Sequence, residues 1–210
     1  MNYKFRNHIK DNPFITTFVS KSNKIIYLRP GRTAGTDITN SIRGSGSNDF
    51  EEVSQPYFFQ NGTNEWLENI TDDEVRDYFK FTFVRNPFTR LISAWNGFVR
   101  KGSVSRDFKS FVVDRGPGHL LYENGEFSND HWFPQCNYAQ FPDGEMIVDF
   151  VGKFEQLKSD TEKLTKMIKF NGIAIKQNVV NSHREHYRNG LQNIVSNIYK
   201  KDLELFNYEF

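Results

Sequence analysis

Arginines, hydroxyls and glycines gather at two places where a chain could grip an anion. The first is Arg29-Pro-Gly-Arg-Thr-Ala-Gly35, followed by Thr36 and Asp37. Glycines there let the main chain turn its N–H groups toward a ligand. Arg32 adds a fixed charge, and Thr33 and Thr36 add hydroxyl donors. The loop is not a Walker A motif, because Gly35 is followed by Thr36 and Asp37 instead of Lys and a hydroxyl residue. The second place is Arg85, with Ser93 eight residues on and Arg90 and Arg100 in the same stretch. A guanidinium presents a two-pronged donor to one phosphate, and a nearby hydroxyl completes the grip. A third candidate is His131, beside Trp132 and Pro134, as a general base. Residues 37–84 hold no histidine, so Glu51 and Glu52 are the alternatives from that region. Each has a plainer reading: an ordinary strand-to-helix turn, an arginine capping carbonyls, and a histidine packed on Trp132.

These groups need rigid elements to hold them. KIIYL at 24–28 reads as a strand running into the loop, and Ile38 and Ile42 in Thr36–Arg43 have the spacing of a helix face. Thr71-Asp-Asp-Glu74 is a capping box that starts a helix. Tyr78–Val84 is an aromatic, β-branched strand. Pro87 then opens a helix to about Lys101, with Leu91, Ile92, Trp95 and Phe98 on one side. A short helix is expected over Asp107–Val113, a strand over Met146–Val151, and a helix from a second capping box, Ser159-Asp-Thr-Glu162, to about Asn171-Gly172. The tail reads as one amphipathic helix from Asn189 to Leu205. Strands alternating with helices predict an α/β fold with a mostly parallel central sheet flanked by helices.

A length of 210 residues suits a single domain, 1–210. With 27 Lys+Arg against 26 Asp+Glu, no global field draws the chain to nucleic acid, so any anion site is a local arrangement. An aromatic content of 16% argues against intrinsic disorder. One cysteine, Cys136, excludes an internal disulfide and a multi-cysteine zinc site, and reads as a packing residue. No apolar run reaches the roughly 20 residues that span a bilayer, and no signal peptide is evident, so cytoplasmic residence without membrane or nucleic-acid partners is expected.

IIYLRPGRTAGTDI followed by KFTFVRNPFTRLISAW resembles the two cofactor segments of sulfotransferases, in particular the carbohydrate-sulfotransferase branch and its compact bacterial or viral type. His131-Trp-Phe-Pro-Gln135, Phe150-Val-Gly-Lys-Phe-Glu-Gln-Leu157 and the tail from Tyr187 to Tyr208 are similar too, in the family's order. The resemblance implies a P-loop-like three-layer sandwich and a donor, 3′-phosphoadenosine 5′-phosphosulfate (PAPS). Arg32, Thr33, Ala34, Gly35, Thr36 and Asp37 would line its 5′ end, while Arg85 and Ser93 would hold the 3′-phosphate. Arg184 would be a further phosphate ligand. Arg32 stands where the family usually has Lys, and Gly31 where it usually has Pro.

The implied reaction passes a sulfuryl group in line to an acceptor hydroxyl, on a saccharide by analogy, with Arg32 and His131 catalytic and no metal. Acceptor-side loops are expected at 44–70 and 114–145. Two other readings stay open: a nucleotide-dependent kinase, and a nucleotide-binding module that has lost its chemistry. Lys153 and the pair Lys200-Lys201 are expected in surface ion pairs or on a solvated face.

Overall fold

A computed structural model describes residues 3–12, 14–45, 47–54, 65–102, 107–115, 117, 130–168 and 183–210. Five strands form one sheet in the order β3-β1-β2-β4-β5: β1 Thr16–Ser20, β2 Ile25–Arg29, β3 Glu51–Ser54, β4 Phe79–Val84 and β5 Phe150–Lys153. The parallel arrangement expected from the sequence holds for β2, β4 and β5. The rest of the sheet is antiparallel. The reason is local: β1, a strand the sequence pattern does not announce, returns into β2 through a tight turn, with Lys24 at φ 50°. A turn that short joins only antiparallel neighbours.

Alternation along β2 divides the core. Ile25 and Tyr27 face α2 (Gly35–Gly44) and α8 (Leu157–Ile168), packing with Ile38, Ile42, Leu157 and Leu164. Ile26 and Leu28 face the other way, toward α1 (Lys4–Asp11), α7 (Cys136–Ala139) and Phe206 of α10 (Lys200–Phe206). The sheet therefore carries helices on both faces. A further apolar cluster joins α5 (Pro87–Arg100) to α6 (Phe108–Ser110), the π-helical turn Phe111–Arg115 and α9 (Leu191–Ile198).

Several local expectations are met. The capping box at Thr71 opens α4 (Asp72–Arg76), after α3 (Glu65–Asn69), and Asn86 caps α5 with Pro87 in its first turn. Others are corrected. The strand expected at Met146–Val151 begins at Phe150, because Met146 makes only an isolated bridge to Gln140 across the turn at Pro142. Ser159-Asp-Thr-Glu162 opens no helix: α8 is already under way at Leu157, and the Ser159 hydroxyl donates to the Gln156 carbonyl. The tail is two helices broken at Tyr199, whose hydroxyl donates to the carbonyl of Trp132. The expected end at Asn171-Gly172 lies outside the described residues, as do residues 55–64 and 118–129 of the loops assigned to an acceptor.

Candidate active site

The carboxyl ends of β2 and β4 open on one cavity of about 430 Å³. Its walls include Arg29, Arg32, Arg85, Ser93, Asp130 and His131, and the first residues of α2. That places ligand space where open α/β sheets hold ligands.

The start of α2 presents main-chain N–H groups at the cavity. Its N-cap, Ala34, is left-handed (φ 66°), and no side chain caps the helix. The first intrahelical bond runs from the Ile38 N–H to the Ala34 carbonyl, so the N–H groups of Gly35, Thr36 and Asp37 lie ahead of the ladder. The helix dipole adds positive charge at this end. Gly35 has a steric reason too: a Cβ there would stand 2.4 Å from Nε of Arg29, whose guanidinium crosses the turn to bond Thr36 Oγ1.

Arg32, also left-handed at φ 69°, reaches to α5 and donates to the carbonyl of Ser93. The notch that admits it is Gly97, where a Cβ would meet Nη2 at 2.8 Å. Its buried Nε finds no hydrogen-bond partner among the described residues. Burial and the charges of Arg100 and Arg90 pull its pKa down against the pull of Asp130. Arg85 is 6% exposed, lies over the Phe154 ring at 4.2 Å, and donates to Thr89 Oγ1 and the Arg32 carbonyl. Burial, reinforced by Arg32 and Arg90 and opposed by Glu155, brings its guanidinium down to about 10. Crowded, desolvated cations of this kind gain most from a multiply charged anion.

Arg90 has a different task. At 1% exposure it donates to the carbonyls of Gly31, Phe133 and Asp130, stapling the anion loop to the segment that carries His131. That staple brings His131 into the cavity, and its Nδ1 donates to Asp130 Oδ1 at 2.5 Å. Burial pushes the Asp130 carboxyl up, but the bond to His131 and the charges of His131, Arg90 and Arg29 outweigh it, so Asp130 stays below the usual carboxylate range. A carboxylate that accepts from Nδ1 favours the tautomer in which Nε2 carries the lone pair.

Of the residues singled out in the sequence, Arg32, Ala34, Gly35, Thr36, Asp37, Arg85, Ser93 and His131 all line this cavity. Four others do not line it. The Thr33 hydroxyl is fully buried and donates to the Pro30 carbonyl, so it shapes the loop instead of facing a ligand. Arg184 is exposed, bonded to the Phe210 carbonyl and outside the cavity lining, because its segment packs on the end of the chain. Glu51 points to solvent beside Lys21. Glu52 is half-buried and pushed up by burial, near enough to Arg29, Arg43 and Asp130 to feel their charges. Lys153 stands over the Tyr208 ring, Lys200 faces Glu204 at the surface, and Cys136 is buried.

Sequence reasoning missed Arg29, Asp130 and Phe154 as cavity residues, and Arg90 as the staple. Asp130 was signalled only by adjacency to His131, whereas Arg29 stood at the head of the glycine loop with no role assigned to it. Among the described residues no cluster of three metal-ligating side chains occurs, and no helix is long and apolar enough to cross a membrane.

Residues 16–209 match the model of a sulfotransferase family. The chain belongs to that family. Among similar sulfotransferases, carbohydrate sulfotransferase 14 of Mus musculus is 28% identical over 127 residues, covering 50% of this chain and 33% of the relative. The Homo sapiens protein of that name gives the same figures. Carbohydrate sulfotransferase 11 of Danio rerio is 23% identical over 239 aligned positions, 90% of this chain and 66% of its own length. The chain thus spans about a third of the first of these relatives. No solved structure matches it.

Proposed function

We propose that this sulfotransferase moves a sulfuryl group from PAPS to a hydroxyl of a saccharide acceptor. The observation that carries the reading is the meeting, in one cavity, of a helix N-terminus without a side-chain cap, the half-buried guanidinium of Arg32 and the buried one of Arg85, and the Asp130–His131 pair. The carbohydrate sulfotransferases among its relatives support the choice of acceptor. In this reading the layers form a P-loop-like sandwich, and residues 44–70 and 114–145 supply the acceptor side.

PAPS fits the donor set. Its 5′ end needs N–H groups and cations, which Gly35, Thr36, Asp37 and Arg32 supply, and its 3′-phosphate needs the separate grip of Arg85 and Ser93. The donor brings the sulfuryl group and a phosphate leaving group. His131 Nε2 takes the acceptor proton as the hydroxyl oxygen bonds to sulfur and the bridging S–O bond breaks. Arg32 and the α2 N–H groups stabilise the negative charge that builds on the departing oxygen. Arg85 selects against ATP, which has no 3′-phosphate.

The test is calorimetric titration with adenosine 3′,5′-bisphosphate and, separately, with ATP and magnesium. Micromolar binding of the bisphosphate is expected, weakened about 10- to 150-fold in Arg85→Ala, as loss of a charged hydrogen bond implies. Tight magnesium-dependent ATP binding, or binding of neither nucleotide, overturns the reading. A second reading, a binding module without turnover, draws on the docking of Arg32 against Ser93. Bisphosphate binding with no sulfate transferred to any saccharide offered would favour it.

A further inference from the structure

Val84, Arg85 and Asn86 leave the sheet at the end of β4, and side chains distant in sequence then take up their main-chain groups. The Gln135 carboxamide bonds both sides of Arg85: its Oε1 accepts the Arg85 N–H at 2.8 Å, and its Nε2 donates to the Arg85 carbonyl at 2.8 Å. Gln135 is fully buried and is held by Asp202 of α10, whose Oδ2 accepts the Gln135 N–H at 2.8 Å and lies 3.3 Å from its Nε2. Oδ1 of Asp202 accepts the Cys136 N–H at 2.8 Å. On the other side, Glu155 Oε1 accepts the Asn86 N–H at 2.8 Å. Tyr208 donates to Glu155 Oε2 at 2.7 Å and lies 3.4 Å from the Val84 carbonyl. The Asn86 side chain donates to the Glu209 carbonyl.

We infer that Gln135, held by Asp202, and Glu155, held by Tyr208, are positioning residues that aim the Arg85 guanidinium, so that residues 199–210 form a frame around the donor's phosphate site. The inference rests on the reading of Arg85 as a donor ligand. Two features separate the frame from ordinary packing. Asp202 is a fully buried carboxylate that accepts from the main-chain N–H groups of Gln135 and Cys136 and also interacts with the Cys136 thiol, a costly choice that an apolar side chain would avoid if filling space were the whole task. The bonds also converge on three successive main-chain units, which sets the direction in which the Arg85 side chain leaves the backbone. Buried and carrying charge, that side chain has little freedom to correct a misdirected start.

The experiment is a double-mutant cycle on affinity for adenosine 3′,5′-bisphosphate, with wild type, Gln135→Met, Arg85→Ala and the double variant, each checked for folding by thermal melting. Gln135→Met is expected to weaken binding about 10-fold while the double variant binds no more weakly than Arg85→Ala, because the frame acts only through that guanidinium. Wild-type affinity in Gln135→Met, or a loss that adds in full to that of Arg85→Ala, overturns the inference. Should Gln135→Met fail to fold, Tyr208→Phe, which removes one hydroxyl from a partly exposed ring, takes its place in the cycle: coupling to Arg85→Ala supports the frame, and wild-type affinity or full additivity overturns it. Absence of binding in the wild type is a separate result: it overturns the donor reading, and the frame's role with it.

Discussion

Ala34 and Arg32 hold left-handed backbone angles that cost an L-residue about 1–2 kcal/mol each. Such strain persists only where the surroundings impose it, and here it turns N–H groups into the cavity. Ala34→Gly relieves one of the two, so the variant is expected to gain roughly 1 kcal/mol and melt about 2–4 °C higher in a thermal scan. An unchanged or lower melting temperature would show the turn to be unstrained. In the proposed reaction the Asp130–His131 pair contributes in a different way. Asp130→Asn keeps the shape but no longer favours the tautomer that leaves Nε2 able to accept a proton. Its kcat is expected to fall about 10²- to 10⁴-fold, the usual contribution of a general base, while bisphosphate affinity stays near wild type. Steady-state kinetics beside a binding titration separate the two effects.

At the scale of elements, one carboxylate ties the β1–β2 turn to the approach to β3. Asp49 accepts the Ser22 N–H and the hydroxyls of Ser20 and Ser47. Burial works against its charged form, but these bonds prevail and hold it at about 2. Depressed in the folded state, Asp49 contributes stability that is complete above the ordinary carboxylate pKa near 4 and disappears as pH falls through about 2. Urea unfolding of Asp49→Asn at pH 2, 3 and 5 is expected to show less gain in stability across that range than wild type. Legibility in the sequence followed the same local logic. The capping box at Thr71 and the strand–loop–helix units at 25–44 and 79–100 were readable because neighbouring residues determine them. The similar letters at Ser159 misled because α8 had already begun two residues earlier, which no local window reveals. Half the cavity was legible as loop chemistry. Asp130 and Arg90 were not, since their roles depend on Arg90 reaching carbonyls 40 and more residues away.

The whole molecule is nearly neutral, with a formal charge of +1, and concentrates cationic charge in one cavity. A ligand that fills it should stabilise the fold by mass action. At 100 times its dissociation constant, adenosine 3′,5′-bisphosphate is expected to add about 2.7 kcal/mol and raise the melting point by about 5–11 °C. Thermal scans of Arg85→Ala under the same conditions should show a shift cut to about half or less, since a 10- to 150-fold weaker ligand adds only about 0.3–1.4 kcal/mol. The frame around Arg85 also has a consequence in time. Val84 and Tyr208 are 124 residues apart, so a ribosome adding roughly 5–20 residues per second makes them about 6–25 s apart. A nascent chain carries its glycine loop and its arginines through that interval with nothing from residues 199–210 to orient them. In the proposed reading, the contacts that aim Arg85 form only once residues 199–210 have been made, and an earlier nascent chain holds that arginine without them.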